Sequence, residues 1–311
     1  MKYGSVVGIS DRISRLVLGS GAFATLQDSW AELLETFVSA GGTAIDTAYS
    51  YGQGESERQL GGWLAASGRR DELVIVTKGG HHLPDGTQRV TPEAIDEELP
   101  ESLSRMGIAT IDLYLLHRDD PTKPVGPIVE SLNRHRDAGR IKAFGASNWT
   151  IARFEEANDY AAKHGMAGFA AISPNLALAV PSEPMWPNCV SFAGDPAATA
   201  WIERTRVPLF AWSSGASGFF SGRFAPEIHE NPEVERVYYR PDNWQRLERV
   251  RELAARKGAS TTQVALAWVL SQPFPTFALI GPRTVAELDD CLGALALDLT
   301  ADERAWLNLE R

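Results

Sequence analysis

The sequence predicts an α/β protein of the single (β/α)8 barrel class, the TIM-barrel architecture, and three observations predict it. Eight short, uniformly apolar runs lie along the 311 residues, at 16–19, 43–46, 73–77, 111–116, 141–145, 169–172, 207–212 and 276–280. Runs of this kind suit strands buried on both faces of a parallel sheet. Amphipathic patterns at helical spacing fall between them, for example at 30–40, 57–66, 92–106 and 128–138. Strand then helix, repeated about eight times, is the order a (β/α)8 barrel needs. An open doubly wound sheet shares that alternation and is not separated from it by the pattern alone.

In chain order, residues 4–15 precede the first barrel strand and are expected to form a hairpin closing the barrel bottom. Gly19-Ser20-Gly21-Ala22-Phe23-Ala24 then mimics the dinucleotide fingerprint GxGxxA. A Rossmann unit would start its helix at once and carry an acidic residue about 20 positions later. Here residues 25–28 intervene and Asp46 comes too late. Residues 19–23 therefore read as the first barrel loop, with Phe23 facing the substrate. Thr91-Pro92-Glu93 reads as an N-cap followed by proline in the first turn. Ser260 with Gln263, and Thr300 with Glu303, have capping-box spacing; the second pair opens a C-terminal helix. The longest irregular region, 174–196, holds Pro174, Pro181, Pro184 and Pro187 before Pro196, together with Trp186 and Phe192. Loops this long are uncommon without a role, and this one is expected to cover the substrate. No linker, low-complexity stretch or repeat period interrupts the chain, so residues 1–311 are expected to form a single domain.

Composition narrows the function. Lysine and arginine number 30 against 40 acidic residues, a formal net charge of −10 with no basic cluster to offset it. That balance disfavours nucleic acid and anionic membrane surfaces. The two cysteines, Cys189 and Cys291, are far apart and in no metal-binding or CxxC pattern, which fits a reducing compartment and no metal. The N-terminus lacks the apolar core of a signal peptide, and no apolar run approaches the roughly 20 residues that span a bilayer. The chain is expected to be soluble and cytoplasmic.

Barrel active sites sit where strands end. Asp46, and across a short loop Tyr51, follow the second run; Lys78 follows the third and His117 the fourth. Each has an ordinary alternative: Asp46 as a turn cap, Tyr51 as an exposed loop aromatic, Lys78 as a snorkelling strand-end lysine, His117 as a loop histidine. Their joint occurrence at successive strand ends favours one site. A phenol, ammonium, carboxylate and imidazole together suit proton transfer to or from an oxygen. An ammonium held against a phenol lowers the phenol's pKa, and Asp46 would keep Lys78 charged.

The stretch Asp46-Thr-Ala-Tyr-Ser-Tyr51-Gly-Gln-Gly-Glu-Ser-Glu-Arg-Gln-Leu60-Gly61 resembles the signature of the aldo-keto reductase family. So do Val76-Thr-Lys78, Ile111-Asp-Leu-Tyr-Leu-Leu-His117, Gly145-Ala-Ser-Asn148, Ala211-Trp-Ser-Ser214 and Ile280-Gly-Pro-Arg283, in order along nearly the whole chain. The resemblance implies a (β/α)8 barrel using NADP(H), less often NAD(H), without metal. It implies Tyr51 as general acid/base, Lys78 and Asp46 as its tuners, and His117 as the group that positions the carbonyl. For the cofactor it implies Ser147, Asn148 and, in the place of the usual glutamine, Ser173 at the carboxamide. Trp212 is implied as the stacking ring, and Ser213, Ser214, Gly215, Gly218 and Arg223 at the pyrophosphate. Arg283 is implied at an adenosine 2′-phosphate, where its alternative is a solvated helix-end arginine. Gly21, Ala22, Asp46, Gly281, Glu287, Asp290 and Cys291 complete the expected contacts. Asp290-Cys291 and Leu176-Ala177 depart from the family's usual residues, which loosens the expectation at the adenine end and the pocket. Phe23, Tyr51, His81, His117, Trp149 and Trp186 are expected against the substrate, a small carbonyl or sugar-like molecule, with His82 and Arg118 nearby.

Three functions follow. The first is an oxidoreductase that interconverts carbonyl and alcohol. The second is a nonenzymatic nicotinamide-binding redox sensor, since some relatives of this fold serve as channel subunits. The third is a different barrel enzyme in which Lys78 forms a Schiff base.

Overall fold

The computed structural model describes residues 1–9, 12–26 and 29–311. Strands β1 (Tyr3–Gly4) and β2 (Ile13–Ser14) form an antiparallel pair. Eight further strands follow: β3 (Leu16–Gly19), β4 (Ala44–Asp46), β5 (Val74–Gly79), β6 (Ile111–Leu116), β7 (Ile141–Ser147), β8 (Ile172–Ser173), β9 (Leu209–Ala211) and β10 (Thr276–Ile280). All pair in parallel and close as a barrel in the order β10-β3-β4-β5-β6-β7-β8-β9. The alternation of the sequence is therefore that of the barrel and not of an open sheet. Around it lie α1 (Ser29–Ser39), α2 (Glu55–Ser67), α3 (Pro92–Met106), α4 (Val125–Asp137), α5 (Ile151–Lys163) and α6 (Pro196–Thr205). The ring continues with α7 (Pro232–Tyr238), α8 (Pro241–Lys257), α9 (Thr261–Leu270), α10 (Val285–Gly293) and the C-terminal α11 (Ala301–Leu307).

Two apolar layers hold this arrangement. Outward strand residues such as Leu16, Leu18, Ile45 and Ile75 pack with helix residues such as Leu33, Phe37, Leu60 and Leu99. Inward residues, among them Val17, Ala44, Val76, Leu113, Leu115, Ala143, Phe210, Phe277 and Leu279, fill the barrel interior. Val6 and Ile13 of the hairpin join that inner layer, so the hairpin plugs the bottom as expected; Ser10 and Asp11 of the expected hairpin lie outside the described residues.

Local signals are realised closely. Thr91 Oγ1 accepts from the Ala94 N–H at 3.2 Å, with Pro92 opening α3. Both capping boxes form: Ser260 Oγ accepts the Gln263 N–H at 3.0 Å, and Thr300 Oγ1 accepts the Glu303 N–H at 3.1 Å. The run at 169–172 is the main shift, because β8 begins only at Ile172. Phe169 is apolar for another reason: its ring packs edge-on to Trp149, 5.0 Å between centroids, outside the sheet.

Candidate active site

Side chains alternate along a strand, so each inward row of barrel residues points at the top of the lumen. The row Ala44–Asp46 ends in a carboxylate, Val74–Val76–Lys78 in an ammonium, and Leu113–Leu115 runs on to His117 just past β6. The three groups converge because they continue the rows that fill the core. Tyr51 reaches them from the loop between β4 and α2.

Lys78 Nζ donates to Asp46 Oδ1 at 2.5 Å, to the Tyr51 hydroxyl at 3.1 Å and to the Thr47 carbonyl at 3.3 Å. All three ammonium hydrogens are thus used. Tyr51 Oη lies 3.4 Å from Asp46 Oδ2, and its ring stands edge-on to His117, 6.0 Å between centroids. His117 Nδ1 lies 3.4 Å from Ser50 Oγ. Asp46 and Lys78 are buried at 2% and 3% exposure, so the ion pair is largely dry.

Burial sets the protonation states. It raises the Asp46 carboxyl, against the opposing pull of Lys78 and of the hydrogen bond from Tyr51. Burial alone would lower Lys78, but Asp46 and Tyr51 outweigh it and the ammonium is held. The Tyr51 phenol is raised, by burial first; Lys78 opposes this and Asp46 adds to it. The expected net lowering of the phenol by Lys78 is therefore reversed in the site as it stands: the ammonium pulls down, but dehydration wins. His117 falls well below the ordinary histidine value through burial and then the charges of Lys78 and Arg118, so its ring is neutral.

These groups line one end of a cleft of about 1080 Å³ that runs across the barrel mouth to Asp290 and Cys291. That volume lies just above the usual range for ligand sites, about 300–1,000 Å³. Its middle is the segment after β9, where Ser213, Ala216, Ser217 and Gly218 all have positive φ. The Ala216 and Gly218 N–H groups close the turn on the Ser213 and Gly215 carbonyls at 2.8 and 3.0 Å, while the small side chains leave its backbone open to the cleft. Arg223 and Arg283 are exposed on the same wall, and neither is paired with a carboxylate among the described residues. A flat indole, Trp212, lies between this segment and Tyr51's end, with Trp186 stacked at 5.6 Å. Ring platform, a turn of small residues and two exposed guanidinium groups without carboxylate partners among the described residues, in a cleft of this size, fit a nicotinamide dinucleotide.

A model of the aldo/keto reductase family matches residues 15–308. The chain belongs to the aldo/keto reductase family. The family comprises oxidoreductases acting on carbonyls. An aldo-keto reductase of Strobilurus tenacellus is 28% identical over 299 residues, covering 92% of this chain and 82% of that protein. A putative voltage-gated potassium channel subunit beta of Schizosaccharomyces pombe is 27% identical over 288 residues, covering 84% and 76%. A thermostable aldo-keto reductase solved with the inhibitor epalrestat has the same fold, with a TM-score of 0.77 at 22% identity over 99% of both chains.

Against this family pattern, the cleft wall contains Gly21, Ala22, Asp46, Tyr51, Lys78, His81, His117, Ser147, Asn148, Trp186, Trp212, Ser213, Ser214, Gly215, Gly218, Arg223, Gly281, Arg283, Glu287, Asp290 and Cys291. Three expected residues are placed elsewhere. Phe23 lies in a short 3-10 turn (Phe23–Thr25) that turns its ring into the core, 5.7 Å from Trp30; Gln27 and Asp28, which follow, lie outside the described residues. Trp149 is fully buried behind the wall, its Nε1 donating to the Arg118 carbonyl at 2.9 Å. Ser173 is also fully buried, is absent from the cleft wall, and its Oγ has no partner among the described residues.

Asn148 is more committed than its motif suggests. Its Nδ2 donates to the His117 carbonyl and Ser147 Oγ, while its Oδ1 accepts from the Val190 N–H and Trp212 Nε1. The two donors aimed at Oδ1 fix the amide's orientation. Among contacts not singled out from the sequence, Ser50 sits beside His117 and Cys189 beside Trp186. Ser50 adjoins Tyr51 and was findable by position. Cys189 carries no local signal, since only the path of the long loop brings it there.

Proposed function

We propose that this chain reduces an aldehyde or ketone to the alcohol, or runs the reverse, with NADP(H) and with Tyr51 as general acid/base. The observation that carries this reading is one buried ammonium, Lys78, shared between Asp46 at 2.5 Å and the Tyr51 hydroxyl at 3.1 Å. When bound, the reduced nicotinamide supplies a hydride to the carbonyl carbon, and the carbonyl π pair passes to oxygen. Tyr51 gives its phenolic proton to that oxygen and later regains one from solvent. Lys78, kept charged by Asp46, stabilises the phenolate left behind. His117, neutral, donates one ring N–H to the carbonyl oxygen and orients it. Ser147 and Asn148 hold the carboxamide by exchanging bonds they now make within the protein, and Trp212 stacks on the ring. Gly215 and Gly218 admit the pyrophosphate beside Arg223. Arg283 binds the 2′-phosphate, which favours NADP(H) over NAD(H).

The test is a screen of aldehydes, ketones and sugars with NADPH and NADH, with Tyr51→Phe as control. The expected result is NADPH-dependent turnover that falls on the order of 10²- to 10⁴-fold in the variant. Undiminished turnover in Tyr51→Phe would sink the assignment. The potassium-channel relative favours a second reading, a nicotinamide-binding module without turnover. It predicts thermal stabilisation by NADPH with no carbonyl consumed.

A further inference from the structure

Arg118 lines the same end of the cleft as His117, and only 5% of it is exposed. A guanidinium cannot shed its proton, so burial leaves a full charge to be compensated. Compensation within the protein is slight. Nη1 donates to the His117 carbonyl at 2.9 Å, Nε is buried with no partner, and no carboxylate pairs with the group among the described residues. The adjacent acids are engaged elsewhere: Asp119 with Arg153 at 3.2 Å, and Asp120 with the Thr122 hydroxyl at 2.6 Å. Arg118 shares the cleft wall with His81, His117 and Cys189; burial first, and its charge in addition, lowers both histidines. The rings of His81 and His117, 4.9 Å apart between centroids, are therefore neutral hydrogen-bonding groups.

A buried, unpaired cation beside reacting groups is costly unless a ligand supplies the counter-charge. We propose that the substrate carries an anionic oxygen group, a carboxylate or phosphate, which Arg118 receives while Tyr51 and His117 hold the carbonyl. The planar fork of Arg118 suits either group. The proposal rests on the reductase reading of this cleft. It is also separate from the cofactor's anions, which belong to the far wall at Arg223 and Arg283.

The experiment compares paired substrates with NADPH: 4-oxobutanoate against its methyl ester, and glyceraldehyde 3-phosphate against glyceraldehyde. At least one charged member should exceed its neutral partner in kcat/KM by on the order of 10- to 100-fold, the scale of a hydrogen bond to a charged group. Which pair responds identifies the group. Arg118→Met should bring that ratio near one, and Arg118→Lys should keep part of it, whereas loss of a merely structural contact would lower both members alike. Neutral members used as well as charged ones by the natural protein would overturn the proposal without touching the reductase reading, and this arm needs no variant. If neither pair is consumed, the reductase reading is left to the wider screen, and anion binding is read by tryptophan-fluorescence titration with succinate and with inorganic phosphate in the presence of NADP+. Saturation by either that is lost in Arg118→Met supports the anion site, and no saturation by either ends it.

Discussion

Tyr51 is a phenol whose environment pulls both ways, and pH separates the pulls. Burial raises its pKa, while Lys78 opposes the rise. In the proposed mechanism carbonyl reduction needs the protonated phenol, so its kcat should stay level through neutrality and fall only in alkali beyond the ordinary tyrosine value of about 10. Alcohol oxidation needs the phenolate and should rise across the same alkaline limb. Lys78→Met removes the lowering interaction, so pH profiles of kcat should show that limb moved to higher pH and the maximum cut by on the order of 10²-fold or more. A limb left in place would separate Lys78 from Tyr51's titration. His117 makes a complementary prediction for stability. Its folded pKa lies below that of an unfolded histidine, about 6.5. Between those two values the unfolded chain binds more protons, so stability falls as pH falls below about 6.5, by up to about 1.4 kcal/mol per pH unit per such group. His81 and His135 are lowered too and add to the slope. Urea midpoints measured from pH 7 to 5 should decline less steeply in His117→Asn. An unchanged slope would show that His117 is not held neutral by the fold.

At the scale of elements, the close approach of α2 and α3 depends on one glycine. A Cβ built on Gly61 would lie 2.6 Å from the Met106 carbonyl oxygen and 2.7 Å from that residue's Cα. Those are backbone atoms and cannot swing aside, so Gly61→Ala must push the helices apart. Overpacking of this kind costs about 1–3 kcal/mol, a drop of several degrees in melting temperature. Because α2 follows the Tyr51 loop, KM should rise as well; a variant that melts with the natural protein would mean that α3 gives way freely. The elements also show what local pattern conveys. Caps at Thr91, Ser260 and Thr300 were legible, because a cap is a bond between residues three apart. The start of β8 was not: Phe169 is apolar for the ring packing outside the barrel, and composition cannot tell one buried side from the other. The loop at 174–196 was legible as a loop that touches the cleft, through Trp186, but Phe192 of the same loop is core.

Across the whole molecule, the candidate site and the hairpin plug lie at opposite ends of the barrel. Phe277 stacks on Phe210 at 4.6 Å in the inner layer, and a Cβ on Gly4 of the hairpin would meet its ring at 2.9 Å, which puts it at the plugged bottom. Phe277→Ala should cost about 3–5 kcal/mol, while turnover per folded molecule at 25 °C stays that of the natural protein. Calorimetry with active-site titration checks both, and a fall in turnover of the folded fraction would show that the two ends are coupled. The candidate tetrad could be read from the sequence because each of Asp46, Lys78 and His117 continues an alternating apolar row to the end of a strand, and that periodicity is a local property of the chain. The placement of Phe23, Trp149 and Ser173 could not, since an aromatic or a serine near a strand end satisfies the pattern whether it faces the cleft or the layer behind it. Nor could the net titration of Tyr51, which depends on how much water the assembled barrel excludes, or the isolation of Arg118, whose neighbouring acids turn to other partners only once helices and loops have packed. Strand-end chemistry belongs to the chain's own periodicity; dehydration and the choice among competing partners are properties of the packed whole.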